Sequence, residues 1–249
     1  MERGGLFAVY CIAAVLSGFI ICVLIHETGH LIGGLFSGYR FSSFEIMGIR
    51  VIRSGKGLRL GIRKSKCIGQ CVMFSEDFRK NASALILGGV AANIIAAVIS
   101  GLILAFRVKN FLYGTDPGMF DTKEPGLIVA DIAVSVFNIL AVICNLVPYS
   151  RTNDGSTFMD ARKSYLHTEA YNRIMYIYAK LNEGCGFEEI DGKVFDLPDM
   201  PLSSLSAELA FYRYLHSRSE GGLKENIEIK RLERFAPGLV EGDWKFESS

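Results

Sequence analysis

Residues 6–36 read LFAVYCIAAVLSGFIICVLIHETGHLIGGLF. The stretch has 31 residues and one formal charge, Glu27. As a helix it would be about 46 Å long at 1.5 Å per residue. A bilayer's hydrocarbon core is only ~30 Å thick, so such a helix must tilt or protrude. Near its end stands His26-Glu27-Thr28-Gly29-His30, an H-E-x-x-H. On a helix, positions i and i+4 share a face, so both imidazoles can grip one metal ion. Glu27 sits beside them as a base able to take a proton from an attacking water. An ionisable residue inside an apolar span is costly and marks function by default.

Working outward, the 249-residue chain is half hydrophobic, with mean hydropathy +0.28. Residues 82–106 and 127–148 form two further stretches long enough to cross a bilayer. The three stretches hold 78 residues and two formal charges, Glu27 and Asp131. Lys plus Arg (27) nearly balances Asp plus Glu (26). That balance lacks the basic surplus of a nucleic-acid binder, so no nucleic acid partner is expected. The chain reads as a polytopic protein of the lipid bilayer, and ordinary soluble enzymes are excluded. A signal peptide fits poorly, because the first stretch outruns the apolar region of such a leader. All six cysteines read as reduced thiols used as small apolar residues. Cys67 and Cys71 form a C-x3-C with no second pair to complete a zinc site.

Loop charge predicts orientation. Residues 37–80 carry ten Lys/Arg against three acids, and positive loops stay cytoplasmic. The expected protein is a multi-pass cell-membrane protein with its N-terminus outside and its C-terminus cytoplasmic. Within the basic loop, Phe44, Ile46, Ile49 and Val51 precede Ser54-Gly55-Lys56-Gly57. Leu58, Leu60 and Ile62 then alternate with Arg59, Gly61 and Arg63, which predicts a membrane-proximal β-hairpin over about 40–63. Small residues in the second span (Gly88, Gly89, Ala91, Ala92) allow close helix packing. The remainder, 156–249, is amphipathic, with helices expected at about 168–183, 204–218 and 223–235. The expected fold is mainly α: three transmembrane helices and a membrane-proximal β-hairpin in a core over 1–155, then a cytoplasmic helical domain over 156–249.

Two histidines do not complete a catalytic zinc site, which uses three protein ligands and a water. His167 and His216 lie in the C-terminal part and read as surface or core histidines of soluble helices. Spans 1 and 3 run parallel, so their C-terminal ends share a leaflet. His30 is six residues before the end of span 1, and five residues separate Asp154 from Pro148, where span 3 ends. Asp154 is therefore the expected third ligand. Neighbouring Asn153 is a neutral amide and a poorer one. Asp131, at the far end of span 3, reads as a polar residue near an interface.

With these residues in hand, the chain resembles the site-2 proteases, the M50 intramembrane zinc metalloproteases. His26-Glu27-Thr28-Gly29-His30 is similar to the family's HExGH. Gly89-Val90-Ala91-Ala92-Asn93 resembles its central G-P-x-x-N, with Val90 in place of the proline. Asn145-Leu146-Val147-Pro148 followed by Asp154-Gly155 resembles its N-x-x-P…DG, with a longer stretch before the aspartate. The likeness covers about residues 6–155. It implies one zinc ion held by His26, His30 and Asp154, with Glu27 as the base. It implies substrate-holding roles for Asn93 and Asn145, and a transmembrane protein as substrate, cut in or near its membrane segment. The hairpin would either pair its free edge with an unwound substrate strand or be a plain cytoplasmic ribbon. No PDZ-like domain fits in the loop at 107–126. The alternative function is a degenerate relative, a zinc-binding scaffold whose C-terminal domain meets a cytoplasmic partner. A transporter would need more than three spans, unless the protein oligomerises.

Overall fold

The computed structural model describes residues 2–55, 57–62, 68–113, 124–149, 153–196, 200–201 and 203–219. The helix expected at 223–235, and Cys67, lie outside these residues. The chain is mostly helical. Helix α1 (Glu2–Phe36) leads into four strands: β1 (Arg40–Ile46), β2 (Ile49–Ser54), β3 (Gly57–Ile62) and β4 (Gly69–Phe74). Helices α2 (Ser83–Tyr113), α3 (Glu124–Leu146), α4 (Asp154–Ala161), α5 (Tyr165–Glu183) and α6 (Ser204–Ser219) follow. α1, α2 and α3 are long and apolar enough to cross a membrane, which suggests a membrane protein.

These three helices pack against one another in all pairings, and glycine lets their backbones meet. A Cβ on Gly29 would run into the Gly88 carbonyl of α2, and one on Gly33 into the Ala84 carbonyl. Such small-residue contacts replace the hydrophobic driving force that lipid removes. α2 continues beyond the expected end at 106, and its Arg107 pairs with Asp131 of α3 at 2.7 Å. Asp131 therefore has a specific partner on a neighbouring helix.

The expected hairpin over 40–63 is corrected to a four-stranded antiparallel sheet in the order β3-β2-β1-β4. The anticipated turn is there, since Ser54 of β2 pairs with Gly57 of β3. A second tight turn at Met47-Gly48 splits what read as one strand. Both residues have positive φ, 51° and 84°, as a two-residue hairpin turn of the primed type requires. β4 shows no in-out alternation because elements cover both its faces, α1 among them and α5 as well.

α4 is also new, since no helix is expected between span 3 and about residue 168. Asn153 caps it: its side chain accepts from the Ser156 amide at 3.0 Å, in extended backbone geometry. One buried cluster joins Tyr39, Met73, Leu85 and Ile86 to Tyr171, Ile174, Ile177, Leu209 and Tyr212, on both sides of residue 155. The Tyr39 hydroxyl donates to Asn172 Oδ1 at 2.8 Å. Asn172 Nδ2 in turn donates to the carbonyls of Phe78 and Lys80. α5 is thus fastened to the segment between β4 and α2. His167 and His216 are buried in this C-terminal part, as core histidines.

Candidate metal centre

Four elements build the site. α1 supplies His26, Glu27 and His30. α2 covers the two imidazoles, α4 delivers Asp154 from its first turn, and β4 lies against Glu27. The i, i+4 spacing brings His26 Nε2 to 3.1 Å from His30 Nε2. Asp154 Oδ2 stands 3.2 Å from the first and 3.5 Å from the second. All three side chains are largely buried, at 12, 13 and 18% exposure.

The far side of each imidazole has a partner. His30 Nδ1 meets the Leu85 carbonyl at 2.8 Å. A carbonyl oxygen can only accept, so Nδ1 carries a proton, and in the neutral imidazole Nε2 is then a bare lone pair. His26 Nδ1 meets Asn93 Oδ1 at 2.6 Å, which fixes the same tautomer. Two bare nitrogens and one carboxylate oxygen then face each other with no proton among them. Asp154 Oδ2 is accordingly buried without a hydrogen-bond donor. With both imidazoles neutral, three converging acceptors make a place for a cation. Ligand bonds of 2.0–2.1 Å at the tetrahedral angle put ligand atoms about 3.3 Å apart, and the three separations straddle that value. The group therefore fits a small divalent ion, and imidazole with carboxylate suits zinc.

Space for the ligand atoms comes from α2. A Cβ on Gly89 would lie 2.5 Å from His30 Nε2 and 2.8 Å from His26 Nε2. Only glycine leaves both nitrogens room, so Gly89 serves the imidazoles rather than a helix contact. At the other approach, a Cβ on Gly155 would run into the Leu146 carbonyl. The start of α4 thus sits hard against the end of α3, which aims Asp154 back toward α1.

Glu27 is 7% exposed and points toward β4. A Cβ on Gly69 would be 2.7 Å from its Oε1, and the Cys71 backbone amide hydrogen-bonds its carboxylate. Glu27 lies within electrostatic range of both imidazoles and of Asp154. Burial, and then the Glu27 charge, push the Cys71 thiol up to about 12, so it stays neutral.

The structure brings His26, His30 and Asp154 together, with Glu27 alongside. Asn93 is 0% exposed, and its partners are His26, Asn138 and the Cys22 carbonyl. Asn145 sits on the last turn of α3, donating to the Ala141 carbonyl at 3.0 Å. Among the described hydrogen bonds, none links Asn145 to the three converging ligands. Three participants escaped the sequence reading. The Leu85 carbonyl leaves no trace in a side-chain pattern. Gly89 was visible as a small residue and as the start of the Gly89–Asn93 motif, but not as a neighbour of the imidazoles. Asn138 was visible as an amide in mid-span. Compared with protein families, curated proteins and solved structures, the chain matches none.

Proposed function

We propose that the chain is an intramembrane zinc metalloprotease, hydrolysing a peptide bond in or near the transmembrane segment of a membrane-protein substrate. The observation that carries this reading is the convergence of three acceptors, His26 Nε2, His30 Nε2 and Asp154 Oδ2, beside a buried carboxylate. The likeness of its three motifs to those of the site-2 proteases adds support. One zinc ion, bound there, would lower the pKa of a water toward neutrality and polarise the scissile carbonyl. Glu27 accepts the proton of the attacking water and passes it to the leaving amine. Its contact with Gly69 and Cys71 holds the carboxylate in place, so little reorganisation precedes transfer.

A helical peptide bond is shielded by its own backbone, so the substrate must be extended when cut. The sheet order leaves β3 and β4 as edges, and β4 is the edge beside Glu27. An unwound substrate segment adds to that edge and is held along the site by main-chain hydrogen bonds. With the basic 37–80 segment inside, the metal centre opens toward the cytoplasm and the N-terminus lies outside.

The second reading is a degenerate relative that binds zinc as a scaffold, with α4–α6 meeting a cytoplasmic partner. Purified full-length protein in lipid, offered a panel of single-pass membrane proteins, separates the two. Proteolysis predicts about one zinc per chain and cleavage abolished by chelation. In Glu27→Gln, cleavage falls by roughly 100-fold or more, the scale of lost general acid–base catalysis, while zinc stays bound. Asp154→Ala loses zinc as well. Zinc binding without cleavage of any substrate supports the scaffold, and equal cleavage by Glu27→Gln removes Glu27 as the base.

A further inference from the structure

Asn93 and Asn138 are both 0% exposed, although they stand in the middle of apolar helices. A buried side-chain amide there must find partners for its oxygen and its nitrogen. The partners form one directional chain. Asn138 Nδ2 donates to the Val134 carbonyl, one turn back on α3, at 2.8 Å. Asn138 Oδ1 accepts from Asn93 Nδ2 at 2.7 Å. Asn93 Oδ1 accepts from His26 Nδ1 at 2.6 Å. Asn93 Nδ2 also lies 3.4 Å from the Cys22 carbonyl.

The direction of this chain is set at its far end. A backbone carbonyl cannot turn round or donate. Val134 therefore fixes which end of the Asn138 amide faces it. Asn138 then presents oxygen to Asn93, Asn93 presents oxygen to His26, and His26 must carry its proton on Nδ1. Suppose Asn93 flipped, to offer nitrogen to the imidazole. Its oxygen would then face two other oxygens, Asn138 Oδ1 and the Cys22 carbonyl. Flipping Asn138 to relieve that would only press its own oxygen against Val134. Both amides are 0% exposed, so neither has open solvent beside it to absorb the mismatch.

We infer that Asn138 is a positioning residue: through Asn93 it holds His26 as the Nδ1–H tautomer, so that Nε2 is free to bind metal. His30 reaches the same state through a single bond to a backbone carbonyl. The three apolar helices then each contribute to one ligand, α1 its imidazole, α2 the first amide and α3 the second with its anchoring carbonyl. The inference rests on the metal reading for its consequence, but not for the tautomer itself.

The test uses the full-length protein with 15N-labelled histidine in lipid nanodiscs. Ring nitrogen shifts of His26 are read with metal removed, and zinc affinity is read by chelator competition. The wild type should show Nδ1–H at His26. Asn138→Leu should populate the Nε2–H form and weaken zinc binding about 10- to 100-fold, the usual cost of losing such support. If Asn138→Leu does not fold, Asn138→Ser serves, because a hydroxyl can donate or accept and no longer dictates direction. Ser135→Ala is the structural control. It deletes another buried bond between the same two helices, Ser135 Oγ to Ser100 Oγ at 2.9 Å, and should change neither readout. Nε2–H in the wild type overturns the inference. So does a variant with His26 and zinc affinity unmoved, or Ser135→Ala losing as much affinity as the Asn138 variant. A wild type that binds no zinc overturns the proposed function alone, since the tautomer is still read.

Discussion

The α1–α3 bundle and the α4–α6 helices differ in what they turn outward. In the bundle, Val9, Leu102 and Ile139 face outward, while Glu27, Asn93, Ser100, Ser135 and Asn138 are buried. In α5 and α6, Ile174, Ile177 and Leu209 are buried, and the ion pairs Lys180–Glu183 and Arg213–Asp196 lie toward the surface. The second pattern is what water selects. The first is what hydrocarbon selects, since outward apolar groups cost nothing there and polar groups must pair inside. The bundle must then cohere by close backbone contact and directed polar bonds, and the C-terminal helices by apolar burial. The candidate metal centre sits where the two meet, with imidazoles from the first region and the carboxylate from the second. A small change of shape should therefore be severe in the bundle, and a loss of apolar volume severe in α4–α6.

The largest expected effect is at Gly89. Gly89→Ala adds one carbon where His30 Nε2 and His26 Nε2 already stand within 2.8 Å. Zinc affinity should fall on the order of 100-fold or more, at least the loss caused by removing outer support. Gly101→Ala makes the same change three turns along α2, where nothing lies within 4 Å. It should leave zinc binding intact and slightly favour the helix, because alanine has the higher helix propensity. Zinc content of the two variants, each checked for helicity, settles the point. A Gly89→Ala protein that binds zinc normally would mean that the ligand atoms sit elsewhere.

A middling effect separates two isoleucines. Ile174 on α5 is 1% exposed inside the shared apolar cluster, and Ile99 on α2 is 53% exposed on the outer face of the bundle. Ile174→Ala should destabilise by about 2–5 kcal/mol, through lost burial and a residual cavity. Ile99→Ala should stay within about 0.5 kcal/mol. Thermal denaturation of both variants in the same lipid would show the gap. Equal losses would mean that the outer face of α2 packs against something, and the contrast between the regions would weaken.

These contrasts also explain what the sequence could and could not tell. The three apolar helices and the H-E-x-x-H were legible because hydropathy and i, i+4 spacing are local properties. Asp154 could be placed because parallel spans constrain where a chain can return. The turn at Met47-Gly48 was hidden because methionine gives no sign of positive φ. β4 was hidden because a strand covered on both faces loses its alternation. α4 starts at Asp154 behind the N-cap Asn153, a signal masked because the same residues match the family's metal-ligand motif. The relay through Asn138 was illegible in principle. Its meaning depends on which face of α3 meets which face of α2, a fact that exists only after packing.

The smallest effect is expected at the end of the bundle away from the metal centre. There Arg107 and Asp131 form an ion pair at 2.7 Å, with side chains 28 and 20% exposed. Partial exposure lets water or headgroups replace either partner, so the pair resembles a surface salt bridge more than a buried one. A double-mutant cycle with Arg107→Gln and Asp131→Asn should give a coupling of about 0.5–1 kcal/mol, smaller still in high salt. Neither residue touches the imidazoles, Asp154 or the amide relay, so zinc content and cleavage should not change. The result has force because Asp131 and Glu27 were the only formal charges in the three apolar stretches. If both carboxylates sat in the bundle for the same reason, losing either would disable the protein. Loss of zinc in Asp131→Asn would show that the far end of the bundle holds the metal centre in shape. An unchanged zinc content would confine the chemistry to the end where α4 and the sheet close over α1.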